Sequence, residues 1–521
     1  MDISKKYSDS ILFPSLIALI SLLPLFILRD FSVSNELRYL SIADEAIREG
    51  HLFVFTNHGE YYADKPPLYF WLMICGKLLL GEHKMWYISL LSFVPGIVTL
   101  GIMDKWTKDI QHRMGRKASQ YMLLTTGLFI GLLIFARMDM LMTMFIVLSL
   151  YTFYKLYKGC ARPADRYLFP VYIFLAVFSK GPIGILIPLA GSVVFLITEK
   201  KMREWKRYWG GTTWGILLLL CGLWFGMVYL EGGDDYLNNL LFKQTAGRGV
   251  NAFHHKRAFY YYLTCIWYIT APWCLLQVIL PFTAQYNRHT DTTKLMLCVA
   301  GAGFVMLSLI SSKLAVYLLP LVPFMAYYTM MILPWKDQSR WTKVAVAIPY
   351  ALFAIALPGL FIARTVSSIP YSDNAFLIIA SLLFSITGVC SLISLYRKDI
   401  YRSIIVFSIG LFISIFAGSG LILEVNQNES YGGICSTAQE LSTKYQLDTF
   451  GVYEMKRAEN MDAYLGQPIV FYSRGDLLQG KASGAVVMIP NKKLKEDDEL
   501  ATHLSSCTEK QTRGAFTAFA L

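Results

Sequence analysis

Long apolar blocks recur along most of the chain, at 11–28, 67–80, 85–103, 119–136, 139–156, 168–179, 183–198, 211–230, 260–282, 295–311, 314–334, 342–363, 375–396 and 403–423. Most approach the roughly 20 apolar residues that a membrane-spanning helix needs. From residue 424 onward the blocks stop and mixed sequence begins. The pattern predicts an all-α polytopic membrane domain over 1–423 and a small soluble α/β domain over 424–521. In that tail 449–453, 468–472 and 485–489 are strand candidates, and 437–445 is a helix candidate. The polar gap 30–66 holds an amphipathic stretch at 35–49, with Ser34 placed to cap it and Gly50 to stop it. Such a helix suits a membrane surface.

Composition strengthens this picture. Of 521 residues 55% are hydrophobic and 16% charged, against about a quarter charged in soluble domains. The net charge of +12 would suit nucleic acid if it were gathered on one domain. Instead the basic residues sit in short clusters between apolar blocks, as the positive-inside rule requires, so nucleic acid is not an expected partner. The nine cysteines form no CxxC pair and no zinc spacing. Cys435 and Cys507 both lie in the tail, where an oxidising compartment would permit a disulfide. Lys5 and Lys6 precede the first block without a small-residue cleavage site after it, which predicts a retained first span. There are no internal repeats.

Charge also sets the topology. If 67–80 does not span and the N-terminus is inside, the basic clusters at 105–117, 155–166, 200–207, 287–294, 336–343 and 397–402 all fall inside. The first outer loop is then 30–84; the loops 231–259 and 364–374 and the tail also fall outside. Making 67–80 a span would move every later cluster to the other face. The rule therefore favours about thirteen spans, with 67–80 lying at the surface or re-entering. The block 168–179 is also short, and the parity of the later spans depends on it.

On this topology several charged features share the outer face: Asn35-Glu36-Leu37-Arg38-Tyr39, Tyr62 with Asp64-Lys65-Pro66-Pro67-Leu68, Arg137-Met138-Asp139, Ser179-Lys180-Gly181-Pro182, and Ser312-Lys313-Leu314 with Tyr317. Charge at the edge of a membrane domain is costly, so its placement is informative. Arg38, Lys65, Lys180 and Lys313 are candidate phosphate donors. Glu36, Asp64 and Asp139 are candidate bases or metal ligands. Pro66-Pro67 would fix the backbone behind Asp64 and Lys65. Each feature also has a plain structural explanation: snorkelling charges at Asp64-Lys65, a boundary ion pair at Arg137 and Asp139, a turn at Lys180-Gly181-Pro182, and a loop at Ser312-Lys313. In 231–259, His254-His255 offers at most one metal ligand, and Asp234-Asp235 reads as a solvated tip.

These motifs resemble bacterial lipid-dependent glycosyltransferases of the GT-C class, in particular the aminoarabinose (lipid A) transferase branch of the protein mannosyltransferase-like family. The likeness rests on Glu36 with Arg38-Tyr39, on Asp64-Lys65-Pro66-Pro67-Leu68, on Arg137-x-Asp139, on Lys180-Gly181-Pro182, and on Ser312-Lys313-Leu314 with Tyr317 and Pro320. It covers about the first 330 residues well and the tail loosely. It implies a polyprenyl-phosphate-sugar donor in the outer leaflet of the inner membrane, and inverting transfer to a lipid or protein hydroxyl. By resemblance, Lys65 would hold the donor phosphate with Tyr39, Tyr62 and Tyr317 nearby. Asp64 and His255 would stand where some members hold a divalent metal (Zn, Mg or Mn), and Asp139 would be a second acidic site residue. One departure matters: the family's first acidic residue, the favoured base, is Asn35 here, and an amide takes no proton at neutral pH. Either Glu36, Asp64 or Asp139 is the base, or the acceptor needs none, or the chain binds its lipid without transfer. A lipid transporter or flippase is the rival from another class; it would show inverted repeats and mid-membrane helix breaks.

Overall fold

The computed structural model describes residues 10–246, 257–283, 289–335, 339–366, 370–506 and 508–521. The chain forms two compact units. One comprises Met1–Pro24, Ala63–Leu72 and Tyr87–Ser419; the other comprises Leu25–Tyr62, Met73–Trp86 and Gly420–Leu521. The first is helical throughout, as the block pattern predicts. Among the described residues seven helices are long and apolar enough to cross a membrane, from Met85–Thr107 to Ile400–Glu429, or up to nine if each of two bent pairs is one span. Leu12–Leu28, Leu68–Leu80 and Ile183–Thr198 are apolar but shorter. The thirteen expected are a count of apolar blocks, whereas this is a count, among the described residues, of helices of full spanning length. The block 260–282 divides into Tyr261–Ile269, Leu275–Ile279 and Leu280–Thr283. Leu68–Leu80 has 13 residues, about 20 Å of helix, against a hydrocarbon core of about 30 Å.

The breaks are chemically provided for. Arg113–Leu124 and Gly127–Ile134 meet at 59°. At the joint, Thr125 and Thr126 donate their hydroxyls back to the carbonyls of Tyr121 (2.6 Å) and Met122 (2.7 Å), and Gly127 N–H donates to Ala271 O (2.7 Å). Trp273 Nε1 and Gln277 Nε2 then donate to the same two threonine oxygens, at 3.0 and 2.9 Å. Polar backbone freed by a break inside a membrane needs such internal partners. Elsewhere the helices approach closely through glycine. A Cβ at Gly388 would stand 2.3 Å from Ala354 N, and one at Gly184 would stand 2.4 Å from Val177 N.

The second unit contains most of the first outer loop. The sequence places 30–84 with the membrane domain; in the structure 25–62 and 73–86 share a unit with 420–521. Specific bonds explain this. Asp30 accepts the Gly432 N–H (2.8 Å) and the Tyr464 hydroxyl, Arg457 Nη1 donates to Ser34 O (2.6 Å), and Ser41 Oγ donates to Asp462 (2.9 Å). The helix Glu36–Glu49 ends at Gly50 in the left-handed conformation, φ 73°, as expected. Its start differs from the expectation: Asn35, not Ser34, occupies the capping position, and it makes no side-chain cap. The helix is also covered by protein, with Leu37, Leu40, Ile42 and Ala43 at 1% exposure or less, so its apolar face serves packing within this unit. Glu45 accepts Thr56 Oγ1 (2.7 Å) and the N–H groups of His58 (2.7 Å) and Gly59 (2.8 Å). These bonds hold the hairpin turn of Thr56–Tyr61, where His58 and Gly59 both take positive φ. Burial raises the Glu45 pKa, but the hydrogen bonds outweigh it and the net shift is downward.

The C-terminal sheet has five strands. Val470–Phe471, Thr449–Val452 and Ala485–Pro490 run parallel, followed by the antiparallel Phe516–Ala520 and Glu509–Arg513. The first three and the helix Gly432–Tyr445 correspond to the expected elements. The final hairpin was not expected: Glu509–Arg513 is polar throughout, so no alternation marks it, and Gly514 makes the turn at φ 57°. Cys435 is buried, and Cys507, its expected partner, lies outside the described residues.

Close helix approach predicts that Gly388→Val costs about 1–3 kcal/mol by overpacking, read as a lowered thermal midpoint of the detergent-solubilised protein. Gly359→Ala, with nothing within 4 Å of its added carbon, should leave the midpoint within a degree or two of wild type, since side-chain volume there meets no neighbour.

Candidate active site

The residues expected at the site fall in both units, and each unit is taken by itself. In the helical unit Asp139 is 1% exposed and lies in the first turn of Met138–Lys158. Ser92, buried on Met85–Thr107, fixes the extended segment before it by accepting the Arg137 N–H (3.2 Å) and donating to Phe135 O (2.8 Å). One Asp139 oxygen accepts Arg137 Nε at 3.2 Å and the other accepts the Lys180 ammonium. Lys180 is the last residue of Asp165–Lys180, where a cation suits the helix C-terminus. Gly181 stops that helix at φ 103° and ψ −154°, and Ile183–Thr198 follows Pro182. The turn reading and the functional reading of Lys180-Gly181-Pro182 are thus compatible.

Lys180 also lies over the Tyr317 ring, 4.7 Å from its centroid, and its side chain is 5% exposed. Arg137 and Lys65 are both close enough to act electrostatically on it. Lys65 Nζ donates to Asp64 O at 3.3 Å, and Pro66 and Pro67 behind it are buried. Together Asp64, Lys65, Lys180 and Tyr317 line a cavity of 340 Å³. Its remaining wall is largely apolar and includes Trp224, Phe225 and Leu240. A chain of rings braces this wall: Trp71 on Phe178 and Phe178 on Trp224, each at 5.2 Å, then Trp224 on Phe225 at 4.8 Å.

Lys313 is placed differently. It is 3% exposed and donates to the carbonyls of Ile310 and Arg257; burial lowers its pKa below the ordinary lysine value. Its neighbour Ser312, not Lys313, lines the cavity. The expected phosphate donor thus anchors the loop before Ala315–Leu321.

In the other unit, Glu36 forms a two-pronged pair with Arg29, at 2.6 and 2.8 Å, and accepts the Ser32 N–H at 2.7 Å. It is 1% exposed. Both of its oxygens thus accept hydrogen bonds. Asn35 Oδ1 accepts Arg38 Nη2 at 3.2 Å. Arg38 in turn stands 5.6 Å from the Tyr62 ring centroid and 5.9 Å from that of Tyr39. His255 lies outside the described residues. Among the described residues no group of three His, Cys, Asp or Glu is placed to hold a metal, and Asp64 has no such cluster around it. Sequence inspection missed Arg29, which ends the first apolar block, and the aromatic wall, whose rings look like ordinary span residues.

Comparison with known proteins adds to this geometry. The family described as dolichyl-phosphate-mannose-protein mannosyltransferase matches residues 64–225, the stretch from Asp64 to Phe225. A crystal structure of ArnT from Cupriavidus metallidurans bound to undecaprenyl phosphate superposes with a TM-score of 0.76 at 18% identity, covering 97% of each chain. The fold is GT-C. The fold class expected from the motifs is borne out. The undecaprenyl phosphate-alpha-4-amino-4-deoxy-L-arabinose arabinosyl transferase of Shewanella sediminis is 22% identical over 385 residues, covering 71% of this chain and 68% of that one. The corresponding transferase 1 of Pseudomonas fluorescens strain Pf0-1 is 21% identical over 358 residues, covering 66% and 62%. The matched part therefore spans about two thirds of the length of these relatives.

The buried Arg29–Glu36 pair yields a stability prediction. Arg29→Met takes the guanidinium from the buried Glu36 and should cost about 3–5 kcal/mol, whereas Arg29→Met with Glu36→Met should recover most of it. Thermal midpoints of the three proteins test this; equal loss in the single and double variants would refute it.

Proposed function

We propose that this chain is an integral-membrane glycosyltransferase that moves a sugar from a polyprenyl-phosphate donor to a hydroxyl on a lipid or protein acceptor. The observation that carries the reading is an apolar cavity with Lys65 and Lys180 in its lining and the Arg137–Asp139 pair beside them. Such a cavity suits an amphiphile whose phosphate sits where hydrocarbon meets polar surface. The multi-pass helical domain keeps the site beside a donor that stays in the bilayer. The charge rule puts this mouth on the outer face of the inner membrane.

The chemistry is displacement at the anomeric carbon. The acceptor oxygen forms the new bond, and the bond from that carbon to the phosphate oxygen breaks, with inversion. Lys65, Lys180 and Arg137 stabilise the charge that grows on the departing phosphate, most strongly where water is excluded. Asp64 takes the acceptor proton. Of the three carboxylates, Asp64 is the one in the lining of the cavity. Asn35 then serves to orient Arg38 and needs no ionisation. Tyr317 faces Lys180, and Tyr39 and Tyr62 support Arg38, as positioning residues. Lys313 acts by fixing the loop that carries Ser312. The printed names of the relatives make undecaprenyl-phosphate-aminoarabinose with a lipid A acceptor the first pair to test, ahead of hexose donors and protein acceptors.

Purified protein with a radiolabelled polyprenyl-phosphate-sugar should transfer label. Lys65→Ala should lose about 10²–10³-fold in kcat, and Asp64→Asn should lose a comparable factor, while Asn35→Asp changes the rate by less than about threefold because another carboxylate is the base. Failure to transfer across pentose and hexose donors and lipid and protein acceptors would refute the reading.

The cations named above suffice to balance the phosphate, so transfer should persist in EDTA and elemental analysis should find no stoichiometric metal. Loss of transfer in EDTA, restored by Zn, Mg or Mn, would instead place an ion at Asp64 and His255.

A further inference from the structure

The loop that Lys313 holds brings a neutral hydroxyl, that of Ser312, to the cavity lined by Lys65 and Lys180. The helix Asp291–Leu309 is followed by Ile310, and the chain returns to helical geometry at Ala315–Leu321. Between them the Lys313 ammonium donates to Ile310 O, three residues back, and to Arg257 O at 3.3 Å. A buried ammonium is costly unless it is bonded, so the loop stays closed around it. Ile310, Ser312 and Tyr317 all line the cavity, whereas Lys313 does not. Ser312 is 8% exposed, and beyond it Tyr317 N–H donates to Leu314 O at 3.0 Å. The hydroxyl thus sits on a segment fixed on both sides of it, and its position is set before any ligand arrives.

The polar side chains of this lining differ in what they can exchange. Lys65 and Lys180 only donate, and an ionised Asp64 only accepts. Tyr317, the other hydroxyl of the lining, has its ring against the Lys180 ammonium. The rest of the lining has apolar side chains or none, apart from Trp224, whose ring nitrogen is buried. Ser312 both donates and accepts, through one small group that rotates to suit its partner. A phosphate diester offers acceptors alone, which the lysines answer. A sugar hydroxyl donates and accepts, as Ser312 does.

We propose that Ser312 is a specificity-determining residue, whose hydroxyl exchanges a hydrogen bond with a hydroxyl of the sugar on the donor. The inference rests on the glycosyltransferase reading above. Charge holds the carrier's phosphate, which every donor of this class shares, while the neutral contact reads the sugar. A site built to bond a substrate hydroxyl disfavours a donor without it, because the site's own polar group is then left unpaired.

Two measurements on the detergent-purified full-length protein test this. One is kcat/KM with the polyprenyl-phosphate-sugar that wild type turns over best; the other is binding of undecaprenyl phosphate, which carries no sugar, read by native mass spectrometry. Ser312→Ala should lose about three- to tenfold in kcat/KM, the size of one neutral hydrogen bond. It should bind undecaprenyl phosphate within about twofold of wild type, since charge holds that group. Ser312→Thr keeps the hydroxyl and should recover most of the loss. Equal kcat/KM in Ser312→Ala and wild type overturns the inference and leaves the transferase reading standing. So does an equal loss in Ser312→Ala and Ser312→Thr, which makes the residue a packing element. A matching loss of undecaprenyl phosphate binding gives the hydroxyl to the phosphate and overturns the sugar assignment. Absence of transfer by wild type from every donor instead overturns the transferase reading, and this inference with it.

Discussion

The carboxylate of Asp139 is the point on which the candidate site turns. An ionised group that is 1% exposed is tolerated because two cations from separate places meet it: Arg137, just before its own helix, and Lys180, at the end of another. Replacing Asp139 would leave Lys180, whose side chain is 5% exposed, without that counter-charge, which is far costlier than the net worth of the pair. The pair therefore fixes where two helix termini meet. It also holds Lys180 over Tyr317 and along the wall of the cavity.

That cavity joins two chemistries that water would separate. Its wall is largely aromatic and aliphatic; of its cations, Lys65 stands just before one helix and Lys180 ends another. Low dielectric strengthens every interaction between those cations and a phosphate. The same low dielectric makes an extra charge expensive, which explains why Asp139 is fully engaged and why Lys313 is turned onto carbonyl oxygens. Each charge in this region either has a partner in the fold or lines the space where a ligand's charge would enter.

Some apolar blocks divide between helices: 119–136 between Arg113–Leu124 and Gly127–Ile134, and 260–282 among Tyr261–Ile269, Leu275–Ile279 and Leu280–Thr283. A block can run unbroken in hydropathy while its backbone turns, provided the freed groups find partners. Thr125, Thr126 and Gly127 show how: hydroxyls back-bond within their own helix, and Gly127, Trp273 and Gln277 link the joint to the segment 270–277. Threonine and glycine look unremarkable inside a hydrophobic stretch, so a count of apolar blocks exceeds the number of full-length helices.

By itself, the sequence determined the membrane class, the helical fold, the motifs Asp64-Lys65-Pro66-Pro67 and Lys180-Gly181-Pro182, the Gly50 helix stop and three of the five strands in the tail. These follow from local properties: apolar length, charge cost, glycine and proline geometry. Tertiary structure decided which charges answer which. It assigned Glu36 to Arg29, Asp139 to Lys180 and Arg137, and Lys313 to main-chain oxygens, and it placed most of the first outer loop with the C-terminal sheet. It also paired the polar strand Glu509–Arg513, whose residues carry no alternation. A residue's type fixes what it can bond, but its partner is set by packing between segments distant in the chain, and local pattern holds no record of that distance.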